Sequence, residues 1–295
     1  MKTGLPATLL ALFLLILVGG CGGDPALRPD GRGPAMWRVE KAGLSAHVFG
    51  TIHVLPPDTP WQTPKMRAAL EGADRLVLEA ANLDDAAALQ DSFSRMGQSP
   101  GLPPVADRVP AADRAALRTI MARGDISADS LTPYESWAAA MLLSTAIQGD
   151  IGLSGAQGVE PVLIQGFRSL GRPVDGLETA EAQFALFDRL PEDAQRRFLS
   201  DTIAQAKDAR TAYDRMLRSW LAGDMDAIAR DFAAEVAPEP ALAQPLLTDR
   251  NRAWAARITA MTGRPFIAVG AAHLAGPGNL LDLLRADGFR VTRVQ

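Results

Sequence analysis

The chain is poor in the residues that most often announce chemistry. Of its 295 residues, one is cysteine and three are histidine. A single cysteine, Cys21, excludes a disulfide within the chain. In an oxidising compartment, stability must then come from the core or from a bound metal. There is no basic stripe, because Lys and Arg are scattered among Asp and Glu and the net charge is −4. That excludes the clustered cations of a nucleic-acid binder. The glycine loop "GLSGAQG" (Gly152 to Gly158) is not a Gly-x-Ser-x-Gly elbow, and the one match to that pattern, "GQSPG" (Gly97 to Gly101), does not follow a predicted strand. A serine hydrolase of that type is therefore disfavoured. What is present in quantity is apolar material: 47% hydrophobic residues against 22% charged, enough for a sizeable globular core.

The N-terminus carries a processing signal. Lys2 precedes an almost wholly apolar run, Leu5 to Val18, and "GGCGG" follows. This is the layout of a bacterial secretory signal. The run falls short of the about 20 residues that a spanning helix needs. The junction "LVGGC" resembles a lipoprotein signal, with small residues at Gly19 and Gly20 and then the only cysteine. Residues 1–20 are expected to be removed, and Cys21 to bear the lipid that anchors the protein to a membrane surface. The plainer alternative is an ordinary signal peptide, or an uncleaved anchor, with an incidental cysteine. Gly22 rather than Asp after Cys21 favours the outer membrane, facing the periplasm. Residues 21–35, rich in Gly, Pro and charge, are expected to be a flexible tether. The folded domain is expected over 36–295.

Along that domain, strand and helix signals alternate. Trp37 to Glu40 and Ser45 to Thr51 form an expected hairpin. Thr63-Pro64 opens a helix, with Thr as cap and Pro at its first position. "DRLVLEA" is a short strand, and Leu83 to Gln148 reads as helical. Within it, "TPYESW" suggests a capping box of Thr132 with Glu135. "VEPVLIQGFRSLG" is a helix, "RPVDGLE" a strand, and "TAEAQFALFDRL" a helix capped by Thr179. More helix fills Glu192 to Phe232, broken at "LAGDMD". "TDRNRAWAARITAMTG" is a capped helix ended by Gly263, and "RPFIAVGAAH" a buried strand. A last helix and strand follow. This order predicts an α/β fold: a central, mostly parallel sheet flanked by helices, with a large helical insertion.

Four predicted strand ends deliver a His or Glu: His53, Glu79, Glu178 and His273. In an open parallel sheet the carboxyl ends of the strands line one edge, where ligands bind. Two imidazoles and two carboxylates there would suit a divalent metal ion. His53 and His273 share a local form, Gly-x-x-His, built on Gly50 ("GTIHV") and Gly270 ("GAAHL"). A glycine at a strand end permits a sharp turn or a close approach. Each residue also has a purely structural reading. Either histidine can be a hydrogen-bonded core residue. Glu79, Glu178 and Glu160 can each simply favour the positive start of a helix. Arg250 and Asn251 can be cap and surface. His47, mid-strand and without the glycine, reads as structural. Trp137, Trp220, Trp254 and Met141 read as packing residues without chemistry.

The stretches "FGTIHVLP", "LVLEA", "GRPVDGLETAEAQ", "DRNRAWA" and "VGAAHLAGPGNLLDLLRADGFRV" carry a family resemblance. The chain resembles the TraB/PrgY/GumN family, related to the animal Tiki proteins, over about Trp37 to Val294, and within it the GumN-like bacterial branch. Tiki proteins are described as metal-dependent proteases without a His-Glu-x-x-His helix, and this chain lacks that helix too. The resemblance implies metal or catalytic roles for His53, Glu79, Glu178 and His273, with Arg250 and Asn251 nearby. It departs at the glycine loop, where "GVE" ending on Glu160 stands in place of the family's frequent "GLD".

The resulting expectation is a metal-dependent hydrolase of the cell envelope acting on peptides. A divalent metal on His53 and His273 with a carboxylate would activate water. Glu79 or Glu178, whichever is not a ligand, would serve as general base. Arg250 would hold the substrate or stabilise the developing oxyanion, and Asn251 would donate a further hydrogen bond. The rivals are a non-catalytic envelope protein that sequesters a peptide, metal or haem-like ligand, and a hydrolase of esters or sugar linkages.

Overall fold

The computed structural model describes residues 33–80, 85–154, 158–236 and 244–295. The predicted signal segment 1–20, Cys21 and the tether as far as residue 32 lie outside the described residues, as do residues 155–157 of the glycine loop. Gly33 to Ala35, assigned to the tether, are buried, and the Gln295 side chain donates to the Pro34 carbonyl at 2.8 Å. The folded domain thus includes residues 33–35, ahead of the expected start at Met36. No helix among the described residues is long and apolar enough to cross a membrane.

Six strands form one sheet: β1 (Met36–Lys41), β2 (Leu44–Thr51), β3 (Arg75–Ala80), β4 (Val174–Glu178), β5 (Pro265–Gly270) and β6 (Arg290–Arg293). Their order is β4-β3-β5-β2-β1-β6. β4, β3, β5 and β2 are mutually parallel neighbours, while β1 runs antiparallel to both β2 and β6. Only β1 therefore opposes the common direction, which fits the expected mostly parallel α/β sheet. β5 is buried at every position, as a central strand covered on both faces should be.

The helices fall in two groups. On one face of the sheet, Phe49, Leu76, Leu78 and Phe266 pack with Met66 of α1 (Pro64–Gly72). Ile164 of α6 (Val159–Ser169) and Trp220 of α9 (Ala209–Leu221) join the same cluster. On the other face Val48, Val77 and Ile267 meet Trp254 and Ile258 of α11 (Arg250–Thr259) and Leu284 of α12 (Leu280–Ala286). A separate apolar cluster belongs to the insertion. It joins α2 (Ala86–Gly97), α3 (Arg114–Arg123) and α5 (Ser136–Asp150) to α7 (Ala180–Asp188) and α8 (Glu192–Gln205).

Local sequence explains most boundaries. Thr63 Oγ1 accepts from the Met66 N–H at 3.2 Å and Pro64 opens α1. Thr179 Oγ1 accepts from the Ala182 N–H at 3.1 Å at the start of α7. Each cap satisfies a donor that the helix itself cannot. The capping box at Thr132 does not form. Thr132 Oγ1 instead donates back to the Ala128 carbonyl at 2.8 Å, closing α4 (Ala128–Leu131). α5 starts at Ser136 with Glu135 as its cap residue, and the Glu135 carboxylate accepts from the Ser99 hydroxyl at 2.6 Å. α11 has no side-chain cap, since it continues from a π-helical turn, Gln244–Asp249, and it stops at Thr259 rather than at Gly263.

Candidate functional site

Three of the four expected strand ends are displaced by a few residues. β2 stops at Thr51, so His53 lies in the loop beyond it. β3 continues through Glu79 to Ala80. β5 stops at Gly270, and His273 sits in the 3₁₀ turn Ala271–Leu274. Glu178 alone is a terminal strand residue. The strand register nevertheless levels these ends, pairing Ala80 with Glu178 and Thr51 with Gly270. All four side chains therefore reach the carboxyl edge of the sheet.

The two glycines let neighbouring protein approach closely. A Cβ on Gly50 would lie 3.2 Å from Ala271 Cα, so Gly50 admits the turn that carries His273. A Cβ on Gly270 would lie 3.1 Å from Glu79 Oε1. The Gly270 N–H instead donates to that oxygen at 2.6 Å. Neither glycine has positive φ.

An inner network is built around Arg250, in the first turn of α11. Its Nη2 donates to Glu79 Oε2 and to Glu178 Oε1, each at 2.6 Å, and its Nε donates to Glu178 Oε1 at 3.0 Å. Its Nη1 lies 3.1 Å from His273 Nε2. A guanidinium only donates, so Nε2 must accept and the ring proton sits on Nδ1. Nδ1–H then donates to Asn251 Oδ1 at 2.7 Å. His273 is wholly buried. Burial first, and the Arg250 charge second, hold it neutral, with its pKa lowered to about 3. Burial would raise Glu79, but Arg250, His273, His53 and the Gly270 N–H outweigh it and lower its pKa to about 2.

Two residues that sequence reasoning passed over complete this network. Gln183 Nε2 donates to Glu178 Oε1 at 2.7 Å and to Glu79 Oε2 at 3.3 Å. Trp254 was expected to be packing alone. Its ring centroid is 4.3 Å from that of His273, the Arg250 guanidinium lies 4.5 Å from its ring, and its Nε1–H donates to Glu178 Oε2 at 3.3 Å. A signal was available for Trp254: it stands four residues after Arg250, on the same helical face.

A second, outer arrangement joins His53 to Glu160, from the first turn of α6, with Nδ1 3.0 Å from Oε1. Burial lowers the His53 pKa, but the charge and hydrogen bond of Glu160 outweigh it, and the net effect raises it to about 9. His53 is therefore imidazolium at neutral pH. Its side chain is 13% exposed, and that of Glu178 14%, against 4% for Arg250 and 0% for His273. His53 and Glu178 are thus the most exposed charged groups of the two arrangements. Thr51 adds a buried hydroxyl at the same edge, with no hydrogen-bond partner among the described residues. His47 is remote, paired across the sheet with Arg38 and Phe266.

The residue types suit a divalent ion, but their arrangement does not. Both nitrogens of His273 are engaged, one by Asn251 and one by Arg250. Glu79 and Glu178 face the guanidinium. His53 turns its Nδ1 to Glu160. Among the described residues, no group of three or more His, Cys, Asp or Glu side chains is disposed to hold a metal ion.

Residues 35–293 match the description of the TraB/PrgY/gumN family. The chain belongs to that family. It is 28% identical over 241 residues to a Shigella flexneri protein named "Uncharacterized protein YbaP", covering 81% of this chain and 88% of that one. The protein of the same name from Escherichia coli (strain K12) is 28% identical over 240 residues, covering 81% and 87%. No solved structure matches the chain significantly.

Proposed function

We propose that this family member is a hydrolase of the bacterial cell envelope that acts on peptides and is held at the membrane by lipid on Cys21. One observation carries the reading. A buried constellation of opposed charges sits at the ligand-binding edge of the sheet and leaves one imidazolium and one carboxylate partly exposed. Buried charges are costly to a fold, and perturbed groups of this kind gather at functional sites.

His53 Nδ1 is taken by Glu160, which leaves Nε2–H as the donor toward a ligand. Bound peptide places its scissile amide against that donor. Glu178 takes a proton from the attacking water as the C–O bond forms. His53 gives its proton to the leaving nitrogen as the C–N bond breaks. Proton transfer from Glu178 to His53 through solvent restores both groups. Arg250, Gln183 and Trp254 act as positioning residues, fixing the Glu178 carboxylate through three different donors.

A second reading is a binding protein that captures a peptide, metal or haem-like ligand without turnover. The mutual saturation of the inner network favours it, because those groups are already satisfied without substrate. Incubation of the mature protein with a peptide library, followed by mass spectrometry, separates the two. The hydrolase should release many equivalents of product, and His53→Gln and Glu178→Gln should each lower release about 10²- to 10⁴-fold. Capture of one equivalent without product would support the binder. Cleavage by both variants at the wild-type rate would remove these residues from the chemistry.

A further inference from the structure

We propose that Arg250 is the resident cation of this site, standing between Glu79, Glu178 and His273 where a divalent ion would otherwise bind. The donors around Arg250 form the ligand set of a divalent metal: two carboxylates and a neutral imidazole nitrogen. Each turns its lone pairs to the guanidinium instead. His273 Nε2 accepts from Nη1, and the two carboxylates accept from Nη2. The neighbouring residues reinforce this assignment. Asn251 holds the His273 proton on Nδ1, which leaves Nε2 bare and directed at Arg250. Gln183 adds an N–H to both carboxylates. Trp254 lies against the guanidinium with a ring face suited to a flat, weakly hydrated cation.

The charges agree. One guanidinium against two carboxylates leaves the inner network one formal negative charge. Without Arg250 it would carry two, with one accessible ring nitrogen, which is what a divalent ion neutralises. A metal ion added to the intact network would have to displace a guanidinium held by both carboxylates and the imidazole. An ion pair so enclosed is not traded easily, since freeing one partner leaves the others buried and uncompensated.

The inference concerns the same residues as the hydrolase reading but is read by metal content, so either can fail alone. The mature protein, freed of metal by chelator, is titrated with Zn²⁺, Mn²⁺ and Co²⁺ by calorimetry, and its metal content after dialysis is measured by mass spectrometry. The wild type should bind none stoichiometrically, and its melting temperature should not move with either metal or chelator. Arg250→Ala should take up about one equivalent and melt at a higher temperature with the ion than without it, and His273→Ala in that background should lose the uptake. Tight uptake of one equivalent by the wild type, lost on His273→Ala, would overturn the proposal. So would a folded Arg250→Ala that binds no ion at any concentration tested. Where Arg250→Ala does not fold, the wild-type titration decides by itself: stoichiometric uptake overturns the proposal, and none supports it.

Discussion

The two Gly-x-x-His elements begin alike in sequence and end as opposites. His273 is wholly buried, neutral, and tied at both ring nitrogens to residues of one helix. His53 is partly exposed, charged, and tied at one nitrogen to a carboxylate on another helix. The difference lies in what each faces. A guanidinium opposite an imidazole keeps the proton off the facing nitrogen, whereas a carboxylate opposite keeps the ring protonated. The same residue in the same local frame thus becomes a buried, neutral piece of framework at one strand end and a partly exposed, protonated group at the next.

The sharpest break in that contrast comes from paired substitutions. His53→Gln keeps an N–H for Glu160 and, compared above about pH 9 where the wild-type imidazole is itself neutral, should cost at most about 1 kcal/mol of stability, while turnover near neutral pH falls about 10²- to 10⁴-fold. His273→Ala should do the reverse in character, lowering stability by about 3 kcal/mol through a cavity and two unpaired polar partners. Denaturant unfolding beside product release measures both. Equal stability losses would end the distinction.

The pH dependence sharpens it further. The folded pKa of His53 is raised to about 9 from 6.5, so its stabilisation is complete below pH 6.5 and lost as pH rises through 9. That limb amounts to about 3 kcal/mol. His273 is lowered to about 3, so its stabilisation is complete above pH 6.5 and drains away as pH falls toward 3. Glu79, lowered to about 2, adds a loss that begins below pH 4.5. The site should therefore contribute most near pH 6.5, as followed by unfolding between pH 3 and 9.5. His53→Gln should flatten the alkaline limb and leave the acid limb in place.

The smallest effect is expected at Thr51. Its hydroxyl is buried without a partner among the described residues. Thr51→Val should leave stability unchanged or raise it by up to about 1 kcal/mol. A loss of ligand affinity in a variant of undiminished stability would assign the hydroxyl to ligand binding. A loss of stability would show that it serves the fold.

Much of this was legible in the sequence where the signals are local. Strand periodicity and the Thr63 and Thr179 caps depend on neighbours along the chain, and they predicted the elements well. The glycines at 50 and 270 marked close approach, although what approaches is the protein's own turn and a carboxylate. The misses are interactions made through space. Thr132 could close one helix or open the next, and the choice rests on the Ala128 carbonyl. Gln183 looks like any polar helix residue until two carboxylates from different strands come within its reach. The position of Arg250 among the predicted ligands depends on α11 packing over the sheet, which no spacing in the chain reports.

The strand order has a consequence for how the molecule comes into being. β5 begins at residue 265 of 295, yet lies between β2 and β3, both complete by residue 80. Until it arrives, two inner strand edges stand open with unpaired backbone groups, the situation that invites mispairing with another chain. The helical insertion and its separate core can form earlier from more local contacts, but the sheet closes only when nearly the whole chain is available. β5 also leads directly into the turn that carries His273. Closure of the sheet and assembly of the charged cluster are then one event, and a chain shortened before Pro265 should yield a folded insertion beside an open, aggregation-prone half-sheet.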